Sequence, residues 1–208
     1  MTFPAKISRT APHRTLAAFV CLALLAALAP TRIRAQSEPA SKPEMNAPPA
    51  VTSAPAAAPL PSPPAIANVT LGGGTIDIHY NTPHMRGRKI MGELVPYGKI
   101  WRTGANPATT LITSVPLKFG DLLVPAGTHT LYTLPSADTW LLIINNQTGQ
   151  WGLTYTPSMD LGRTPMKAKP MDAPQEVMSL SFENTTPTST ELHMRWETTD
   201  RYVLVTTP

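Results

Sequence analysis

The chain has 208 residues, with 17 Lys and Arg, 13 Asp and Glu, 24 prolines and a single cysteine. That length suits one folded domain with flanking sequence, and one cysteine excludes an internal disulfide or a thiolate metal cluster. Residues 1–35 hold five of the cations and no acid, so the rest carries 12 − 13 = −1, and no nucleic-acid partner is expected, since that needs a basic face on the folded part.

Lys6, Arg9 and Arg14 precede an apolar run of fifteen residues, 16–30 (LAAFVCLALLAALAP). A basic leader and an apolar run of this length form a secretory signal, short of the roughly 20 residues a membrane helix needs. Ala35 is a candidate cleavage position, although Ile33 stands where a small residue is preferred and Arg32 and Arg34 resist crossing. Residues 1–35 are therefore expected to be a signal peptide, with an uncleaved anchor as the alternative. The protein is expected to be exported, to the periplasm or outside the cell, and to touch a membrane only if the anchor stays. Cys21 sits in the apolar run after Phe19 and Val20, not after small residues, and reads as filler.

Residues 36–65 are expected to be a disordered Pro/Ala-rich linker. They contain nine prolines and almost nothing large and apolar, so they cannot bury enough surface to offset chain entropy. A polyproline-like spacer of this kind advances about 3.1 Å per residue and spans up to roughly 90 Å.

Residues 66–208 carry the folded unit. Strands are predicted at 67–71 and 75–81, separated by Gly72, Gly73 and Gly74; in the second, Ile76, Ile78 and Tyr80 alternate with Asp77, His79 and Asn81. An irregular stretch follows, with a helical turn expected near 89–94. Further strands are predicted at 109–115, at 117–124 with a turn at Gly120 and Asp121, and at 129–134. The segment 139–145 (TWLLIIN) is apolar on both faces and should be central. A strand is predicted at 150–156, a basic Pro-containing loop at 162–173, and closing strands at 175–183, 190–197 and 201–206. About ten short strands separated by turns predict an all-β fold, an antiparallel β-sandwich or jelly-roll-like single domain with one long irregular segment.

The runs GRKIMGELVPYGKIWRTGAN and LLVPAGTHTLYTLPS, a Trp-containing apolar strand and the pair Trp151 and Gly152 resemble a bacterial exported family known as domain of unknown function 2911. The likeness runs from about residue 68 to 206. It implies an exported all-β domain and brings no activity with it. His84 and Met85 depart from the residues expected there, with no evident consequence.

No nucleophile elbow, zinc-protease helix or phosphate loop is present, and Gly72, Gly73 and Gly74 precede a strand, so they make a turn. His79, His84, His129 and His193 are scattered. His79 and His129 would meet only if their strands paired suitably, with Asp77 beside His79, and no metal or other cofactor is expected.

The residues to examine are those of the irregular stretch, 86–109, which holds five cations, four glycines, a Tyr and a Trp. Arg86, Arg88 and Arg102 offer planar donor forks that suit carboxylate or phosphate. Tyr97 and Trp101 provide flat faces for stacking, and Asn106 a neutral polar group. The same residues have a plainer use: Trp101 in the core, Arg102 on backbone carbonyls or a carboxylate, Arg86 and Arg88 as a solvated edge. The preferred reading is a non-catalytic binding module of the cell envelope for an anionic small molecule or glycan. A partner-docking domain on a spacer is the alternative, followed by a hydrolase or isomerase using Asp77, His79 or His129.

Overall fold

The computed structural model describes residues 60–208. The expected signal peptide, 1–35, and the linker as far as residue 59 lie outside the described residues.

Among the described residues eleven strands form in order: β1 (Pro64–Leu71), β2 (Gly74–Asn81), β3 (Thr109–Thr113), β4 (Leu117–Phe119), β5 (Leu122–Val124), β6 (Gly127–Leu134), β7 (Trp140–Asn145), β8 (Asp160–Lys169), β9 (Gln175–Glu183), β10 (Ser189–Glu197) and β11 (Thr199–Thr206). All the pairings between them are antiparallel. They run in one sheet in the order β1-β2-β3-β6-β7-β8-β11-β10-β9, with the β4–β5 hairpin paired to β11. The all-β antiparallel expectation holds, and its strands make one sheet nearly closed into a barrel.

β8 is the corner of this sheet. Its first part pairs with β7, and Lys167, Ala168 and Lys169 pair with β11. The sequence reading placed a basic, Pro-containing loop at 162–173, where β8 runs to Lys169. Pro165 lies opposite Leu141 of β7, two residues before the β11 pairing starts at Lys167. It therefore stands on a locally free edge, where its missing N–H costs nothing.

Closure comes from the chain leaving β2. Met178 N–H donates to the carbonyl of Pro83 at 2.9 Å, and Met85 N–H donates to that of Glu176 at 2.9 Å. These bonds cover the β9 edge, and the Tyr80 hydroxyl reaches the Leu180 carbonyl from inside. An edge that would otherwise offer unpaired backbone groups is thereby blunted.

Alternate residues of the strands fill the interior. Ile76, Ile78, Leu111, Leu131, Ile144 and Val205 are fully buried, together with Phe119 and Met178. On β10, Leu192, Met194 and Trp196 point inward as the alternation predicts. The outer face of β6 and β7 is covered as well: Tyr132, Ile143 and Ala108 form a second small cluster against Tyr155, Ile100 and Leu134. The predicted strand at 150–156 is this cover. It makes only an isolated bridge, Trp151 with Pro107, and no ladder.

Candidate functional site

Residues 86–108 are held by the strands around them. Glu197, at the turn from β10 to β11, accepts the N–H groups of both Ile90 and Met91 at 3.0 Å. Ile90, Met91 and Val95 enter the core. The expected helical turn is instead a tight closed loop, in which Val95 and Glu93 both donate to the Ile90 carbonyl and Gly92 donates to that of Val95.

Trp101 and Thr133 exchange two backbone hydrogen bonds, each 2.8 Å, so the segment continues the line of β3 along β6. This pairing turns the Trp101 ring toward the interior. It stacks on Trp196 at 5.9 Å and meets Trp140 edge-on at 6.5 Å, and its Nε1–H donates to the Gly104 carbonyl. Thr103 then takes φ of 54°, a left-handed conformation that costs a non-glycine residue about 1–2 kcal/mol. It is held there because its hydroxyl meets that of Thr133 and its carbonyl accepts from Thr109.

The turn opens a hollow of about 300 Å³ at this end of the barrel. Buried Trp196, Val95 and Pro83 form its floor with Trp101, and Arg88, Arg102, Asn106 and Leu94 its rim. No acidic residue among the described ones lines it. Arg88 is fixed by its own loop, its Nε donating to the Met85 carbonyl at 2.9 Å and an Nη to that of His84 at 2.7 Å.

Arg102 is different. Its aliphatic stem lies on Gly152, where an added Cβ would come within 1.9 Å of the Arg102 Cδ. Its Nε is buried, and no described residue accepts a hydrogen bond from it. Burial lowers the guanidinium pKa from its ordinary value, the direction desolvation imposes on a cation.

Of the six residues singled out from the sequence, Arg88, Trp101, Arg102 and Asn106 share this hollow. Arg86 and Tyr97 do not line it. Arg86, with φ of 50°, donates its N–H to Glu176 and an Nη to the Pro61 carbonyl. Tyr97 lies over Gly92 at the surface. Asn106 also donates to the Ser62 carbonyl at 3.4 Å, as does Asn81 at 2.9 Å. The irregular segment thus holds the chain as it enters the fold, upstream of the expected domain start at residue 66. Trp196, Leu94 and Val95 were missed as lining residues, because nothing in their local sequence separates a hollow's wall from ordinary core.

The histidines do not converge. His79 pairs with Thr110, which pairs with Thr130, so His129 faces the other side of the sheet. His129 is buried, its ring nitrogens meeting Asn146 Oδ1 and the Pro125 carbonyl. Among the described residues no three His, Cys, Asp or Glu side chains are placed to hold a metal ion.

The ionic groups on the outer faces satisfy one another. His193 lies between Asp200 at 2.7 Å and Glu191 at 3.2 Å, with Tyr202 stacked on its ring. Arg195 donates to Asp200 at 2.8 Å and forks onto both oxygens of Glu183. That fork holds the Glu183 carboxyl at about 2, well below its usual range. Asp160 takes hydrogen bonds from Tyr155, Asn145 and Arg163, and burial together with that carboxylate pushes the Tyr155 hydroxyl up to about 12.

No curated protein and no solved structure matches this chain. A family model does match, over residues 62–205, which takes in every strand from β1 to all but the last residue of β11 and the whole of the hollow. The chain belongs to the family described as Protein of unknown function (DUF2911).

Proposed function

We propose that this domain is a non-catalytic binding module of the cell envelope, and that the hollow beside Arg102 takes the anionic group of a small molecule. The carrying observation is the charge of that hollow: two guanidinium groups and, among the described residues, no carboxylate and no acceptor for the buried Arg102 Nε. A buried donor left unpaired costs about 1–3 kcal/mol, and an incoming carboxylate or sulfate oxygen would remove that cost. Charge-assisted bonds to a planar fork are the stronger kind, and the low-dielectric floor of two indoles strengthens them further. The signal-like N-terminus supports the envelope assignment. No nucleophile, convergent carboxylate pair or metal cluster accompanies the described hollow, which favours binding over turnover.

Titration with sulfate, acetate and glucuronate, followed by amide shifts, tests this reading. The amides of residues 101–106 should move, and the shifts should vanish in Arg102→Gln while the melting temperature changes by no more than about 2 °C. If none of the three anions moves those amides, or if Arg102→Gln unfolds the domain, the reading fails.

A second reading has its own observation. Trp151 and Leu153, on either side of Gly152, are 56% and 80% exposed. Such residues beside the hollow favour a partner-docking lip. Stable co-purification of one protein partner, lost in Leu153→Ser, would support it.

A further inference from the structure

A second hollow, of about 450 Å³, lies beside the first. The chain crosses from one to the other twice. Ser62 lines the arginine hollow and Pro64 the second; Asn106 lines the arginine hollow and Pro107 the second. Between them runs a sill in which Asn81 and Asn106 both donate to the Ser62 carbonyl, at 2.9 and 3.4 Å. The Asn106 bond is long, and its residue is exposed with φ of 61°.

The two hollows differ in chemistry. The second is walled by Ile66, Pro64, Ala65, Pro107 and Ala108, with His79, Tyr80, Asn81 and Thr110 as its polar residues, and no Lys, Arg, Asp or Glu among the described residues lines it. Ile66 is 57% exposed on the outer face of β1, opposite His79 of β2. An apolar side chain held open to water beside a cationic hollow asks for a ligand that is charged at one end only. A glycan would need polar groups along its whole length, and the wall of Pro64, Ala65, Ile66, Pro107 and Ala108 offers no polar side chain.

We propose that the two hollows are halves of one site, and that its ligand is an aliphatic carboxylate. The head would meet Arg102 and Arg88, and the chain would cross the Ser62–Asn106 sill to lie along Ile66 and Pro107. This rests on the anion-binding reading above and names the ligand class for it. Electrostatics would place the head, and removal of methylenes from water would supply the added affinity.

The test titrates acetate, butanoate, hexanoate and octanoate, with octanol and a glucuronate disaccharide as controls, against the full chain and read by amide shifts. Affinity should stay flat for the shortest acids, then rise roughly two- to fourfold per methylene once the chain crosses the sill. Ile66→Asp should abolish that rise and leave acetate binding unchanged. His79→Asp places a charge in the same hollow from an exposed position and should act alike. If octanoate binds no tighter than butanoate, if both variants keep the rise, or if the disaccharide binds tighter than octanoate, the two-part site is overturned while anion binding stands. If no carboxylate binds at all, both proposals fall.

Discussion

Arg102 and Arg195 stand in regions with opposite logic. Arg195 sits on the outer face of β10 with a carboxylate against each side of its fork, Glu183 and Asp200, and its pKa is raised by them. Arg102 sits at the mouth of the barrel with its Nε buried and unpaired, and its pKa is lowered by burial alone. The comparison separates structure from readiness to bind. An arginine whose donors are all met within the chain rigidifies a sheet. Arg102 is held by its stem against Gly152, with its buried Nε unmet among the described residues.

The largest expected effect lies on the satisfied side. Asp200→Ala removes the carboxylate that His193 Nδ1 and Arg195 Nε share in a buried setting, and should cost about 3–5 kcal/mol by urea unfolding. A loss under about 1 kcal/mol would show that this network is merely a surface decoration. Next comes the tie between the two regions. Glu197→Ala strands the Ile90 and Met91 N–H groups and should cost about 1–3 kcal/mol, with the amide shifts of residues 88–106 changing together.

The acid response follows from Glu183. Its carboxyl titrates at about 2 in the fold against a usual 4.5, chiefly because of the Arg195 hydrogen bonds. A depressed carboxylate contributes stability that is complete above its unfolded value and is lost as pH falls toward its folded value. The melting temperature should therefore drop between pH 4.5 and 2, and the drop should be shallower in Glu183→Gln. Smallest of all should be the stability effect of Arg102→Gln, within about 0.5 kcal/mol of zero, because no paired charge is broken. A cost comparable to that of Asp200→Ala would erase the contrast between the two arginines.

Some of the hollow's lining was legible in the residues. A stretch with three arginines, a Tyr, a Trp and closely spaced glycines reads as irregular and ligand-capable, and four of its six marked side chains do meet. Arg86 and Tyr97 could not be sorted from the others, because a guanidinium that holds a backbone carbonyl and one that faces a hollow have the same local sequence. The plainer reading of Trp101 was also right in part: the ring packs on Trp196 and Trp140 while one face borders the hollow. Pro165 misled for a definite reason, since its cost depends on whether a neighbouring strand needs its N–H, and that neighbour, β11, comes some thirty-five residues later.

From the amino-acid order alone came the all-β class, the strand faces of β2 and β10, the turns, and the irregular character of the stretch that lines the hollow, because alternation and turn chemistry act over a few residues. Pairing over long separations decided the rest. Closure of the sheet through Pro83 and Met85, the burial of His193 on a nominally solvent-facing side, and the burial of the Arg102 Nε all depend on which distant residues arrive beside them, and contacts of that kind leave no trace in local spacing.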